Sequence, residues 1–246
     1  MRLYLYYASF AVGLVLAVLV NMRVGAKNGS PKRDTALFTV AGFIAAVIGA
    51  IAMAAIYNAV VRAVSDEPFS TSKVSLYGGL LFMPPLMLLF TKLQKADFGE
   101  VTDNCCAGVF MLLGTAKIGC SIYGCCWGVP FEHGLYNAFA GEKVFPVQLL
   151  ESALTFIIAF VIYRLAVKKH AKGTVYPLGL IFYGVMRFFV QFLRFHEVAA
   201  EKDLVGFMDL WQTVSLIAVI VGAVWLAVSL KINGGKADEE PDQILL

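Results

Sequence analysis

The stretch LYLYYASFAVGLVLAVLVNM, residues 3–22, carries no charged side chain over its whole length. A helix of roughly 20 apolar residues is long enough to cross the hydrocarbon core of a bilayer. Comparable apolar runs cover 36–61, 74–91, 104–119, 147–167, 175–194 and 208–230. These runs are continuously apolar, whereas barrel strands alternate. The sequence therefore predicts an all-α polytopic membrane protein with a bundle of about seven transmembrane helices.

The composition supports the same class. Hydrophobic residues make up 59% of the 246 residues and charged residues 15%, against roughly a quarter charged in soluble domains. We expect one membrane domain over residues 1–230 and a short polar, disordered cytoplasmic tail over 231–246. Membrane topology accounts for the net charge of +3, so we expect no nucleic-acid partner.

The basic residues predict the orientation. Those that follow the odd-numbered spans lie on one side, which the positive-inside rule makes cytoplasmic. The N-terminus is then outside and the C-terminus inside. A cleaved signal peptide carries its positive charge before the apolar segment, whereas here the basic cluster follows the first span. We therefore expect this span to remain as a helix. Twelve of the 20 Lys and Arg share this side: Arg23, Lys27, Lys32, Arg33, Lys92, Lys95, Arg164, Lys168, Lys169, Lys172, Lys231 and Lys236.

A polar stripe runs along the sixth span. Tyr183, Arg187, Gln191 and Arg194 are spaced by four, four and three residues, which places them on one face of a helix. Intramembrane arginines usually face a bundle interior or a wet cavity, and a guanidinium is well suited to bind phosphate. Two other interpretations remain open: Arg187 pairs with a buried carboxylate, and Arg194 extends to the outer surface.

Other spans bring polar groups to the same outer half of the membrane. Gln148 and Glu151 lie three apart at the start of the fifth span, and Gln212 and Ser215 do so in the seventh. Glu151 is a candidate counter-charge for an arginine, or a base if burial perturbs it. With Lys117 and the arginine stripe, these residues predict a cationic, partly apolar cavity. An anionic phospholipid is the ligand that such a cavity favours.

The stretch KIGCSIYGCCWG, residues 117–128, holds Cys120, Cys125 and Cys126. Zinc sites usually combine two ligand pairs, and the sequence offers no second pair nearby, so we expect no metal ligands. A disulfide between Cys120 and either neighbour is a second interpretation. The third, which we favour, makes the cysteines wall residues of a glycine-rich turn, where close approach of the backbone matters more than the thiol.

These residues resemble the prolipoprotein diacylglyceryl transferase family. Its signature G-R-I-G-N-F-I-N-G-E-L-W-G corresponds to AKIGCSIYGCCWG, residues 116–128, in the manner of a divergent GCC-type member. Its H-P-S-Q-L-Y-E corresponds to FPVQLLE, residues 145–151, and its Y-G-x-x-R-F-x-x-E-x-x-R to YGVMRFFVQFLR, residues 183–194. Its late G-Q-x-x-S matches Gln212 and Ser215.

The resemblance implies a membrane transferase. The family has seven spans, and it moves a diacylglyceryl group from phosphatidylglycerol to the lipobox cysteine thiol of a preprolipoprotein, releasing glycerol phosphate. By this resemblance Arg187, Glu151 and Tyr183 are expected to be catalytic. The expected substrate-binding residues are Lys117, Gly119, Gly124, Gln148, Arg194 and Gln212. No cofactor is expected, and the expected location is the bacterial cell membrane.

The chain differs from the family at positions whose side chains are suited to transfer protons. Met83 in GGLLFMPP, residues 78–85, replaces the functional histidine; Gln191 replaces a glutamate, and Lys117 an arginine. Three functions therefore stay open: a transferase of this or a related kind, a non-catalytic phospholipid-binding homologue, and a thiol redox or metal-handling protein.

Overall fold

In the computed structural model, which describes residues 1–64, 76–195 and 208–238, helices dominate. Six of the helices in these ranges are long and apolar enough to cross a membrane. The helices, in order, are α1 Arg2–Lys27, α2 Lys32–Val64, α3 Leu76–Leu93, α4 Phe98–Tyr123, α5 Val147–Ala166, α6 Val175–Val190 and α7 Leu210–Asp238. The predicted all-α polytopic class is confirmed.

The predicted spans and the observed helices differ at their ends. The third span, predicted over 74–91, corresponds to α3, Leu76–Leu93, whose apolar part is shorter than those of the other six helices. The fourth, predicted over 104–119, extends over Phe98–Tyr123 because Asp97 caps its start by accepting the Glu100 N–H at 2.8 Å. The seventh continues as a helix to Asp238, into the segment 231–246 for which the sequence predicts a polar, disordered tail. The end of the predicted tail, 239–246, lies outside the described residues.

Helix α4 lies at the centre of the bundle. Glycines on it bring other helices close: an added Cβ at Gly108 would meet Asn21 of α1, and one at Gly114 would meet Phe156 of α5. Asn21 is buried, accepts the Gly108 N–H at 2.8 Å and donates to Thr39 Oγ1 at 3.1 Å. Small residues and interhelical hydrogen bonds are the usual means by which helices associate in lipid.

A short hairpin lies between α4 and α5. Strand β1, Pro130–Asn137, pairs antiparallel with β2, Glu142–Val144. Its apolar side chains Phe131, Tyr136 and Phe139 are exposed. Aromatic side chains are enriched at the level of lipid headgroups, which is where we expect this hairpin to lie.

A carboxylate of α4 caps the start of α6. Asp103 is buried and accepts the backbone N–H groups of Gly173, Thr174, Val175 and Tyr176, with N···O distances of 2.7, 3.2, 2.9 and 3.1 Å. The first N–H groups of a helix have no partner within it. Asp103 therefore satisfies them from another helix and fixes where α6 begins.

Polar contacts surround this cap at the end of the bundle that carries most basic residues. His170 Nε2 lies 3.2 Å from Asp103 Oδ2, and this hydrogen bond raises the pKa of His170. Lys172 Nζ lies 2.9 Å from Glu100 Oε2. These contacts thus connect the ends of helices at the predicted cytoplasmic side.

Replacing Asp103 with alanine should lower the free energy of unfolding by about 2–3 kcal/mol, because hydrogen bonds to a charged group contribute about 1.5–3 kcal/mol each and water can replace part of them near the membrane surface. Thermal unfolding in detergent measures the change. Asp97→Ala, which removes the exposed cap of α4, is the matched control and should cost about 1 kcal/mol. Equal effects of the two substitutions would contradict the role of Asp103.

Candidate functional site

The site lies at the end of the bundle opposite Asp103, and three elements build it. Helix α4 contributes Lys117 in its last turns, and α5 contributes Glu151 in its first turns, after Pro146. Helix α6 contributes Arg187 and then passes through a 3₁₀ turn, Gln191–Leu193, to Arg194. Helices that end or begin at one level of the membrane thus bring these side chains together.

Three cations converge on the buried carboxylate of Glu151. Lys117 Nζ lies 2.9 Å from Oε1, while Arg187 Nη1 and Arg194 Nη1 lie 3.4 and 3.3 Å from Oε2. The Glu151 side chain is 1% exposed and that of Arg194 13%. The predicted pairing of Glu151 with an arginine of the sixth span is confirmed. The alternative that Arg194 extends to the surface is wrong, because its guanidinium turns inward to Glu151.

We name Lys117, Glu151, Arg187 and Arg194 the charged cluster. Its three cations and one carboxylate leave an excess of two positive charges away from bulk water. Burying unpaired charge is costly, so the cluster favours an anionic ligand. A phosphate group can accept from a guanidinium through two oxygens at once.

Aromatic rings support Arg187 of the charged cluster. The Arg187 guanidinium carbon lies 5.8 Å from the centre of the Tyr77 ring, within the range of a cation–π contact. The ring of Tyr77 packs edge-on against Tyr183, which is buried, and its hydroxyl lies 2.7 Å from Ser215 Oγ. Sequence reasoning missed Tyr77. Its only signal was its place directly before the Gly-Gly of the third span.

Three of the predicted substrate-binding residues make contacts within the protein, and their role toward substrate stays a prediction. Gln148 Nε2 donates to the Cys125 carbonyl at 2.9 Å, so it holds the turn after α4. Gln212 accepts the Asp209 N–H at 3.0 Å while its own N–H donates to Asp209 at 2.7 Å, a reciprocal cap at the start of α7. A Cβ at Gly119 would clash with Ser9, so this glycine allows α1 and α4 to pack. The structure therefore does not bring Gln212 into the charged cluster.

The turn after α4 joins the end of α6. Gly124 ends α4 with a positive φ of 99°, which favours glycine. Beyond it, Val129 N donates to the Leu193 carbonyl at 3.0 Å, and Phe195 N donates to the Trp127 carbonyl at 3.1 Å. We name residues 124–129 the signature turn. These backbone bonds place the signature turn against Arg194.

The thiols of Cys120, Cys125 and Cys126 form a group beside the charged cluster. Their sulfur atoms all lie within 4.8 Å of one another, and all five cysteines are free thiols. Cys126 has a φ of 59°, an uncommon left-handed conformation for a side chain with a Cβ. We name these three residues the thiol cluster. Cys105 and Cys106 lie far from it, in the first turns of α4.

A cavity of about 730 Å³ connects these groups with the apolar interior. One end is lined by the thiol cluster and by the cations of the charged cluster, and Glu151 lies behind them. The rest of the wall is mostly apolar, and it includes Phe38, Met83, Met87 and Val101. The predicted combination of a cationic and an apolar region in one cavity is therefore present.

Comparison with known proteins gives a consistent result. A family model described as prolipoprotein diacylglyceryl transferase matches residues 1–228. A phosphatidylglycerol–prolipoprotein diacylglyceryl transferase of Vibrio atlanticus is 31% identical over 252 residues, covering 97% of this chain and 90% of that protein. One of Clostridium tetani, with the same name, is 24% identical over 233 residues, covering 90% and 91% of the two chains.

Proposed function

The chain belongs to the prolipoprotein diacylglyceryl transferase family, and from this we propose that it transfers the diacylglyceryl group of phosphatidylglycerol to a prolipoprotein cysteine. The observation that carries the proposal is that cations of the charged cluster line one end of a largely apolar cavity. A phospholipid has the matching parts, since its headgroup is anionic and its acyl chains are apolar.

The proposed reaction forms one bond and breaks another. The acceptor thiol loses its proton to water and reacts as the thiolate. Its sulfur attacks the glyceryl carbon that carries the phosphate, so that a C–S bond forms while the C–O bond breaks. The electron pair leaves with glycerol phosphate, whose phosphate gains negative charge. Fixed donors that stabilise charge as it develops are a major source of catalysis. Arg187, Lys117 and Arg194 are the groups in place to do this.

The remaining residues orient these donors. Glu151 contacts all three cations and so fixes where their N–H groups lie before lipid binds. Tyr77 and Tyr183 support Arg187 from the apolar side. Met83 is buried in the cavity wall, where its thioether can fill space but cannot take a proton.

The test is a transfer assay with the purified protein, phosphatidylglycerol vesicles and a lipobox peptide. We expect the peptide to gain the mass of one diacylglyceryl group, and a peptide with serine in place of its cysteine to gain none. The Vibrio atlanticus relative serves as the positive control. If this chain gives no product where the relative does, the transferase proposal is wrong, and a phospholipid-binding homologue is the remaining candidate.

The protein is a multi-pass membrane protein, and we propose that it lies in the bacterial cell membrane with the site facing outward. Cysteines introduced as Arg33→Cys and Lys169→Cys should react with an impermeant reagent only after the membrane is opened, because basic loops stay cytoplasmic. Ala138→Cys in the hairpin should react in intact cells. The parent chain gives the baseline for its five native thiols. Protection of Ala138→Cys in intact cells would reverse the orientation.

A further inference from the structure

We propose that Cys120, Cys125 and Cys126 bind one zinc ion, and that its open fourth position receives the thiol of the acceptor cysteine. The part of this inference that concerns the acceptor rests on the proposed function. The metal site itself rests on the thiol cluster alone. The prediction from sequence was that these cysteines are not metal ligands, and the grouping of their sulfur atoms is the reason to revise it.

The geometry of the thiol cluster suits a small metal ion. Its sulfur atoms lie within 4.8 Å of one another. Zn–S bonds of about 2.3 Å in a tetrahedral arrangement separate sulfur atoms by roughly 3.8 Å, so the thiols need to move little. Gly124 reverses the chain at the end of α4, which returns Cys125 and Cys126 to the helix turn that carries Cys120. Gln148 holds this turn through the Cys125 carbonyl.

The number of ligands favours a reactive rather than a structural site. Structural zinc is usually held by four protein ligands, whereas catalytic zinc has three and an open position. Among the residues that the structure describes, the group contains three sulfur ligands and no fourth cysteine, histidine or carboxylate. The sulfur ligands lie along the cavity that also contains Arg187. A metal ion held by these three ligands would therefore lie beside the place where transfer would occur.

The charge of such a site is also compensated. Three thiolates and one Zn²⁺ carry a net negative charge, which burial penalises unless cations are near. Lys117 and Arg194 are electrostatic neighbours of Cys126, and both belong to the charged cluster, which has an excess of positive charge. One set of cations can thus serve the metal site and the phosphate.

Zinc would supply a step that the cavity otherwise lacks. A free thiol has a pKa of about 8.5 and reacts as the thiolate, whereas a thiol that coordinates a metal ion is deprotonated. Met83 cannot accept that proton, and both oxygens of Glu151 are engaged by cations. The acceptor thiol would release its proton to water on binding, and its sulfur would then attack the glyceryl carbon.

The first experiment measures zinc in the purified chain by elemental analysis, without chelators. We expect about one zinc per chain, and little in Cys120→Ser, Cys125→Ser or Cys126→Ser. Cys105→Ser is the matched control, because its thiol is buried in α4 outside the thiol cluster, and it should keep its zinc. A wild-type chain that takes up no zinc, or that contains a disulfide within the thiol cluster, would overturn the metal site.

The second experiment replaces zinc with Co²⁺ and follows its visible spectrum. A lipobox peptide should change the spectrum, and the same peptide with serine should not, because only the thiol can enter the open position. No phospholipid and no turnover are needed for this readout. An unchanged spectrum with the cysteine peptide would overturn the role of the metal toward the acceptor.

The transfer assay separates the two proposals. Removing zinc should lower the transfer rate by about 10²–10⁴-fold, the usual range for moving the proton of a reacting group, and adding zinc should restore it. Transfer at full rate by a zinc-free chain would overturn the role of the metal toward the acceptor and leave both the metal site and the transferase intact. A chain that binds zinc through the thiol cluster but gives no product would overturn the transferase and leave the metal site.

Discussion

Replacing Arg187 with lysine should lower the rate of diacylglyceryl transfer by about 10²–10³-fold, the usual cost of losing one donor that stabilises developing charge. The planar guanidinium can meet two phosphate oxygens, whereas an ammonium group offers one compact charge. Lysine keeps the positive charge, so phosphatidylglycerol should still bind. Arg187→Ala should weaken both binding and transfer.

The measurement is product formation under single-turnover conditions, together with lipid binding by the same variants. Arg164→Lys is the control, because this exposed arginine lies in the last turn of α5, away from the charged cluster, and it should leave both quantities unchanged. Glu151 keeps Lys117 and Arg194 as partners when Arg187 is removed. Arg187→Ala should therefore fold, and its defect can be assigned to the reaction. Undiminished transfer by Arg187→Lys would remove Arg187 from the mechanism.

Replacing Glu151 with alanine should lower the free energy of unfolding by about 3–5 kcal/mol, the usual cost of removing one partner of a buried ion pair. The substitution leaves Lys117, Arg187 and Arg194 together with no carboxylate between them. Transfer should be lost as well, since nothing then orients the three donors. Glu142→Ala on the exposed hairpin is the control and should leave stability unchanged.

An anionic lipid should partly replace the missing carboxylate. Phosphatidylglycerol should raise the melting temperature of Glu151→Ala more than that of the wild type, because its phosphate supplies the counter-charge. Phosphatidylcholine, whose headgroup is neutral overall, should not show this difference. If Glu151→Ala melts at the wild-type temperature in both lipids, the three cations are not held by Glu151, and the charged cluster is not a unit.

Most of the helices could be predicted because each is a long apolar run, and lipid requires the backbone of such a run to satisfy its own hydrogen bonds. The charged cluster could also be predicted from the sequence, because helical spacing placed Arg187 and Arg194 on one face and Glu151 at the same depth. Gln212 caps the first turn of α7 through Asp209, a contact that its spacing from Ser215 does not indicate, and its role toward substrate stays a prediction.

Contacts between distant parts of the chain could not be predicted. Asp103 caps α6 across about seventy residues of sequence, and no local pattern signals such a partner. The three thiols were predicted to share one glycine-rich turn, but their spacing did not favour a metal site. Rules on metal-ligand spacing count positions along the chain, whereas Gly124 folds Cys125 and Cys126 back onto the helix end that carries Cys120.

The backbone bonds between the signature turn and the end of α6 have a consequence for protein engineering. Because Trp127 and Val129 bond to Phe195 and Leu193, the two segments form one structural module although they are distant in sequence. Consider a chimera that receives residues 117–129 from a relative and keeps its own residues 191–195. Its two segments then come from different proteins, and their backbone contacts are not matched to each other. Grafts that exchange both segments together should therefore express and fold better than grafts of either segment alone.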